Sequence, residues 1–189
     1  MKKTTLLILA ILASYCFSMG QSNPSIPPAA LEKLINTWRE NTLGLPIGDK
    51  FPEFEFVDLE GNKTDYKDLK DKLIILNTWF VGCTGCKEEE ENLKQLTEEF
   101  KDREDIVFLS FAMSSPQKIE RYFSKRGDFG YQTARVDREW VNDTLKITLS
   151  PTHYIIKDGI LVEQITMPIS ETFFLDWYRN RILEFLAEA

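Results

Sequence analysis

Two cysteines separated by two residues lie in the segment WFVGCTGCKEEEENL, where Cys83 and Cys86 are followed, after one lysine, by four consecutive glutamates. A C-x-x-C pair occurs in zinc sites, in iron–sulfur clusters and in redox disulfides. Zinc normally takes four protein ligands, whereas the chain after its first 20 residues offers these two cysteines and a distant His153. A disulfide between such close residues also restrains the unfolded chain very little. Thiol–disulfide chemistry is therefore the favoured interpretation.

The position of the pair in the chain strengthens that interpretation. Cys83 directly follows a predicted buried strand and begins a predicted helix. Unpaired backbone N–H groups and the positive end of the helix dipole stabilise a thiolate there, so Cys83 is expected to be the nucleophile. Cys86 stands about one helical turn further on, inside the roughly 4.4–6.8 Å Cα separation that a disulfide accepts. The pair is expected to open and close without moving the fold.

The glutamates that follow cannot all face water, because successive helical residues are about 100° apart. The apolar stripe of this helix consists of Leu93, Leu96 and Phe100. Glu89 lies within roughly 15° of the centre of that stripe, Cys86 roughly 45° from it and Cys83 more than roughly 100° away. Cys83 is thus predicted to be exposed, as are Glu88 and Glu91. Glu89 points inward beside Cys86 and is a candidate proton acceptor and donor for that thiol. The alternative that stays open is a structural role, in which Glu89 only extends toward water or caps a polar group.

The elements that must position these residues follow from the hydrophobic pattern. A change from helical to alternating period, then two short apolar runs separated by amphipathic segments, is typical of a single α/β sheet. The predicted segments are helices over 29–44, 83–101, 115–127, 137–147 and 170–189, hairpins over 54–66 and 151–167, and buried strands over 71–80 and 105–113.

Composition favours a single globular domain and argues against a nucleic-acid-binding protein. The chain has 189 residues, of which 43% are hydrophobic, enough for one compact core. Its formal net charge is -7 and it has no cluster of lysine and arginine, so nucleic acid is not an expected partner.

The N-terminus is typical of a secretory signal, which assigns residues 1–20 as a signal peptide cut after Gly20. Its apolar run is shorter than the roughly 20 residues that cross a bilayer, so no mature transmembrane span is expected. A lipid anchor at Cys16 is the alternative. Residues 21–46 are predicted to form a linker and an N-terminal helix, and residues 47–189 the main domain.

Three segments, NTWFVGCTGCKEE, FPEFEFVDLEGN and SPTHYIIKDGI, together resemble the TlpA-like branch of the thioredoxin superfamily, which consists of secreted bacterial thiol–disulfide oxidoreductases. The resemblance covers roughly residues 47–189. It implies a thioredoxin fold, an α/β fold with a central mixed β-sheet flanked by helices, extended here by an N-terminal helix and a β-hairpin. The residues that fall on the family motif are Asn77, Trp79, Cys83, Cys86 and Glu89.

The resemblance also implies residues that bind the substrate. Pro151 matches a cis-proline that faces the disulfide, the backbone of Ser150 would pair with a substrate strand, and Trp79 belongs to the same binding region. Gly82 departs from the family, which usually has tryptophan before the first cysteine. Glu91 stands where the family often has a helix-kinking proline, which predicts a straighter helix.

The expected function is thiol–disulfide exchange with partner proteins, more as a reductant than as an oxidant. Cys83 attacks a partner disulfide, and Cys86 resolves the mixed disulfide with help from Glu89. Expected partners are disulfide- or dithiol-containing proteins and an upstream electron donor such as a membrane thiol reductase. No cofactor or metal is expected.

Two alternatives stay open. A peroxiredoxin-like peroxidase has a T-x-x-C motif, but Thr78 lies too far before Cys83 for that spacing. A redox-inactive client-binding module would keep the fold without exchanging electrons. His153 is predicted to be a strand residue at the sheet edge.

Overall fold

The computed structural model describes residues 26–41 and 43–187. The expected signal peptide over residues 1–20 and the alternative lipid anchor at Cys16 lie outside these residues. The N-terminal helix ends at Asn41, before the expected end at Gly44.

A five-stranded mixed sheet forms the centre of the molecule, and a separate two-stranded hairpin precedes it. The strands are β1 (Glu55–Val57), β2 (Lys63–Asp65), β3 (Leu73–Trp79), β4 (Ile106–Ala112), β5 (Gln132–Arg135), β6 (Thr152–Lys157) and β7 (Ile160–Ile165). The spatial order of the large sheet is β5-β4-β3-β6-β7. β4 runs parallel to β3 and to β5, whereas β6 runs antiparallel to β3 and to β7. All seven residues of β3 are buried, as expected for a strand covered on both faces.

Helices flank this sheet, and the expected thioredoxin fold with its N-terminal helix and hairpin is confirmed. The helices are α1 (Pro28–Asn41), α2 (Thr84–Glu88), α3 (Glu90–Phe100), α4 (Pro116–Arg126), α5 (Arg138–Thr144) and α6 (Thr172–Ala187), with a 3₁₀ turn at Tyr66–Leu69. The predicted turn between the last two strands is also present, because Asp158 and Gly159 both have positive φ, at 52° and 78°.

The alternation of side chains along β3 divides the interior into two cores. Ile75 and Trp79 face a core that includes apolar residues of α1, α3 and α6. Ile74 and Leu76 face a second core that includes residues of the hairpin and of α5. Asn77 has the parity of Ile75 and Trp79, so it belongs to the face that α3 and α6 cover.

Two features differ from the sequence expectations. β5 was not expected, because it is a short edge strand with only Thr133 and Ala134 buried, too few to produce a strand pattern. The single straight helix expected over 83–101 is also wrong. It is interrupted at Glu89, which separates α2 from α3 with φ -93° and ψ -7°, although no proline is present.

Candidate active site

The two cysteines occupy the first turn of α2. Cys83 is the residue that caps this helix, and the Cys86 N–H points at its Sγ over 3.1 Å. A turn joins β3 to the helix, with the Cys83 N–H donating to the Phe80 carbonyl over 3.1 Å and Gly82 at φ 101°. That φ is strained for any residue with a Cβ, so the tryptophan of the family pattern would not suit this turn conformation.

Cys83 and Cys86 form a disulfide with their Cα atoms 5.3 Å apart. Each cysteine is 7% exposed, so the expected greater exposure of Cys83 is wrong. The helical wheel considers the helix alone, whereas the loop at Ser150 also covers this end of α2. The Ser150 carbonyl oxygen lies 3.6 Å from Cys83 Sγ.

The loop before β6 brings the expected proline to the disulfide. The Ser150–Pro151 peptide bond is cis, as the family resemblance implied. Pro151 and Pro168 both lie against Gly85, the residue before Cys86. A Cβ placed on Gly85 would lie 3.2 Å from a ring carbon of each proline. The absence of a side chain at Gly85 therefore allows both proline loops to pack closely on the C-x-x-C turn.

Glu89 lies behind the disulfide and is 0% exposed, as its predicted inward position requires. Its Oε2 accepts a hydrogen bond from the Ile169 N–H over 2.8 Å and lies 2.9 Å from His153 Nε2. Its Oε1 accepts from Asn77 Nδ2 over 3.2 Å. Asn92 fixes the loop that supplies Ile169, since its Nδ2 donates to the Ile169 carbonyl over 2.7 Å. The buried carboxylate is thus held by groups from three different parts of the fold.

His153 is the member of this cluster whose predicted position is wrong. β6 lies between β3 and β7, so His153 is an interior strand residue with 0% exposure and not an edge residue. It pairs directly with Asn77 of β3, and both side chains belong to the face that carries Glu89. A usable signal was that each of these polar residues has apolar residues two positions before and after it, namely Ile75 and Trp79 for Asn77, and Pro151 and Ile155 for His153.

Glu90 is also buried, at 4% exposure, and was not predicted as a site residue. The Tyr122 hydroxyl and the Arg126 guanidinium both donate to its carboxylate, the latter from Nε over 2.7 Å. Burial and this carboxylate raise the pKa of Tyr122 to about 12. The run of four glutamates is therefore divided, with Glu88 and Glu91 in water as predicted.

Trp79 is 2% exposed and packs among the rings of Tyr122, Phe123 and Phe129. Its Nε1 donates to Ser110 Oγ over 3.3 Å. This burial leaves no open ring face for a partner protein. We therefore correct the expectation that Trp79 binds the substrate, because it supports the site by packing.

The second cysteine and the two buried acids line one small crevice. Its lining residues are Asn77, Trp79, Cys86, Glu89, Glu90, Leu93 and Phe129. Nearby, burial and the charge of Glu89 raise the pKa of Tyr131, and burial is the largest cause of the raised pKa of Tyr178. These two phenols are therefore neutral at physiological pH. Cys86 and Glu89 thus line the same small space, which makes Glu89 a candidate proton acceptor for Cys86.

Three further observations concern a metal site, a membrane span and a peroxidase motif. Among residues 26–41 and 43–187, no group of three or more His, Cys, Asp or Glu side chains is placed to hold a metal ion. No helix of the described chain is long and apolar enough to cross a membrane. Thr78, considered for a peroxidase motif, is fully buried, and its Oγ1 lies 3.4 Å from the Thr152 carbonyl.

Comparison with known proteins agrees with this geometry. Residues 47–176 match the AhpC/TSA family. The thiol-disulfide oxidoreductase ResA of Bacillus cereus is 30% identical over 64% of this chain and 70% of its own length. The thioredoxin-like protein YneN of Bacillus subtilis is 26% identical over 70% of this chain and 78% of its own. A thioredoxin family thiol:disulfide interchange protein from Chlorobium tepidum has the same fold, with a TM-score of 0.62, 21% identity, and coverage of 75% of this chain and 99% of that one.

The matched residues contain the hairpin, the C-x-x-C turn, Glu89 and the cis-proline loop, which together form the site described above. The chain belongs to the AhpC/TSA family and, within the thioredoxin superfamily, to the ResA/TlpA-type thiol–disulfide oxidoreductases.

Proposed function

We propose that the protein is exported and reduces disulfide bonds of partner proteins by thiol–disulfide exchange. The observation that carries this proposal is the Cys83–Cys86 disulfide at the first turn of α2, with Glu89 buried behind it. The names of the relatives support exchange chemistry. The direction of electron flow rests on the resemblance to TlpA-like proteins, which are typically reductants.

The reaction proceeds in two exchange steps. In the reduced protein, the Cys83 thiolate attacks one sulfur of the partner disulfide, forms a mixed disulfide and releases the other partner sulfur as a thiolate. Cys86 then gives its proton to Glu89 and attacks Cys83 Sγ. The Cys83–Cys86 disulfide forms, the bond to the partner breaks, and the second partner thiolate leaves. Two electrons have passed to the partner, and an upstream dithiol donor, such as a membrane thiol reductase, must restore Cys83 and Cys86.

The partner is expected to bind as an extended segment beside the disulfide. The backbone of Ser150 would pair with this segment, because its carbonyl lies next to Cys83 Sγ. Leu149, which is 65% exposed, offers an apolar contact beside it. Pro151 would shape this loop, so Ser150 and Pro151 are the proposed substrate-binding residues.

Export is proposed from residues 1–20 as a signal peptide, followed by the linker and helix over 21–46 and the domain over 47–189. The mass of the mature protein from its own cells tests this assignment. A chain beginning after Gly20 supports secretion, an acylated N-terminus at Cys16 supports a lipid anchor, and an intact N-terminus contradicts export.

Trapping of partners tests the exchange mechanism. A Cys86→Ser variant cannot resolve the mixed disulfide, so it should accumulate partners bound through Cys83 that a reducing agent releases. The matched Cys83→Ser variant should accumulate none. Absence of covalent adducts in Cys86→Ser cells would contradict the mechanism.

The two alternatives predict different results. Peroxide consumption far faster than that of a free thiol would support a peroxidase. Retained function in the Cys83→Ala, Cys86→Ala double variant would support a redox-inactive binding module. A reduction potential measured against glutathione, read with the thiol state of both cysteines in cells, tests the proposed direction of electron flow.

A further inference from the structure

His153 is a buried titratable residue that the exchange mechanism above does not use. It lies on the interior strand β6 with 0% exposure, and its Nε2 is 2.9 Å from Glu89 Oε2. On the other side, its ring packs against Tyr178, with the ring centroids 5.6 Å apart. Within the described chain, its Nδ1 has no hydrogen-bond partner. The contact with Glu89 is therefore its one polar contact there.

The hydrogen bonds around Glu89 determine what His153 does in that contact. The Ile169 N–H and the Asn77 amide are donors toward the two carboxylate oxygens. A carboxylate that accepts these bonds also accepts from Nε2 when the imidazole carries its hydrogen on that nitrogen. The neutral imidazole then leaves an unprotonated Nδ1, which is the nitrogen without a partner. In this tautomer His153 is the third N–H donor to a buried carboxylate.

We propose that His153 is a positioning residue for the resolving step, because its Nε2–H holds the Glu89 carboxylate in place for proton transfer from Cys86. This inference rests on the proposed exchange function. In the resolving step the Cys86 proton passes to Glu89, the Cys86 thiolate attacks Cys83 Sγ, and the partner leaves as a thiolate. A base must keep a fixed position and orientation to serve this transfer.

Stability alone does not account for the contact. A buried ionic or hydrogen-bonded pair is often no more stabilising than apolar residues of similar volume. The partner of Glu89 lies in a strand whose next two interior positions, Tyr154 and Ile155, are apolar or aromatic and fully buried. An apolar residue would suit the packing at position 153, yet it would remove the N–H donor from Glu89.

Two kinds of substitution separate donation from packing. His153→Leu and His153→Met both remove the donor, whereas His153→Gln keeps an N–H group near the position of Nε2. Each reduced variant is mixed with oxidised glutathione, quenched in acid at intervals and analysed by mass spectrometry. This measurement gives the rate of mixed-disulfide formation at Cys83 and, separately, the lifetime of the mixed disulfide.

We expect His153→Leu and His153→Met to lengthen the mixed-disulfide lifetime by about tenfold or more, less than the roughly 10²–10⁴-fold effect of losing a general base itself, without changing the formation rate. His153→Gln should restore the lifetime to within about threefold of that of the unsubstituted protein, since it still donates to Glu89. Circular dichroism establishes that each variant is folded, and either folded apolar variant is sufficient for the comparison.

Three results would overturn the inference. They are an unchanged lifetime in the apolar variants, a glutamine variant as slow as they are, or loss of folding in both apolar variants, which would make the role of His153 structural. Failure of the exchange function itself is distinguishable, because the unsubstituted protein and Cys86→Ser would then form no mixed disulfide at all.

Discussion

At the residue scale, the cysteines at the start of α2 are equally exposed, at 7% each, but their backbone surroundings differ. Cys83 Sγ lies at the helix N-terminus and faces the Cys86 N–H over 3.1 Å. This favours a thiolate at Cys83 over one at Cys86. Cys86 instead shares a crevice with the buried Glu89. The proposed roles therefore depend on electrostatic surroundings and not on access to water.

Substitution of Glu89 tests the proposed proton acceptor. Glu89→Gln keeps the size of the side chain but cannot accept the Cys86 proton, so resolution should slow by about a hundredfold or more. Formation of the mixed disulfide at Cys83 should not change. Acid-quench mass spectrometry measures both steps.

The matched control for that substitution is Glu91→Gln, which alters an exposed glutamate of α3 paired with Lys94. It should leave both steps unchanged. A Glu89→Gln variant that resolves as fast as the unsubstituted protein would exclude Glu89 as the proton acceptor.

The sequence predicts those residues of the site whose positions depend on spacing within one helix. The inward position of Glu89 follows from its distance along the chain to Leu93 and Leu96, which lie on the same helical stripe. His153 depends instead on the direct pairing of β6 with β3, between residues 76 positions apart in the pair Asn77–His153. Hydrophobic periodicity predicts that a strand exists but does not determine its neighbours, so the Glu89–His153 contact could not be predicted.

At the element scale, the interruption of the helix at Glu89 could not be predicted from the sequence either. The apolar stripe predicts one helix, whereas α2 and α3 meet at Glu89, and both Glu89 and Glu90 are buried. The contacts that hold them come from distant elements, namely β6, α4 and the loop before α6. β5 was not predicted for a different reason, because a four-residue edge strand is too short to show a hydrophobic alternation.

Gly85 provides a test of how closely the C-x-x-C turn packs on the proline loops. Gly85→Ala gains about 0.5–1 kcal/mol of helix propensity, but its Cβ would crowd two prolines, and such overpacking costs about 1–3 kcal/mol. The free energy of unfolding should therefore fall by about 1 kcal/mol, measured by urea titration. The exposed neighbour provides the control, because Thr84→Ala adds no new contact and should not reduce stability. A Gly85→Ala variant more stable than the unsubstituted protein would show that the loops can move away freely.

At the scale of the whole molecule, the N-terminal helix is attached to the thioredoxin-like core by charge as well as by apolar packing. Arg39 of α1 donates from Nε to Glu163 of β7 over 2.9 Å, and Glu163 is 1% exposed. Arg181 of α6 donates to the same carboxylate over 3.2 Å. Leu31 and Ile35 of α1 join the core on this side of the sheet. The helix is therefore part of the folded unit and not an independent appendage.

Removal of Arg39 should destabilise the whole domain. Among the described residues, Arg39→Ala leaves the buried Glu163 carboxylate with Arg181 as its remaining salt-bridge partner and the Gln164 N–H as a further donor. We expect a loss of about 1–3 kcal/mol in the free energy of unfolding, less than for a charge left with no partner. Urea titration monitored by circular dichroism measures this loss. Arg103→Ala, which breaks the exposed pair with Asp105, should have no measurable effect. Equal stabilities for the two variants would show that the Arg39–Glu163 contact does not anchor α1.

The central claim, that Cys83 attacks and Cys86 resolves, is tested most directly by the alkylation rates of the two thiols in the reduced protein. The protein is treated briefly with iodoacetamide at neutral pH, and peptide mapping by mass spectrometry then gives the fraction of each cysteine that has reacted. The two residues are equally exposed in the disulfide form, so we expect a difference in alkylation rate to reflect chiefly the thiolate character of each sulfur. We predict that Cys83 reacts at least about tenfold faster than Cys86. Equal rates, or faster labelling of Cys86, would contradict the proposed mechanism.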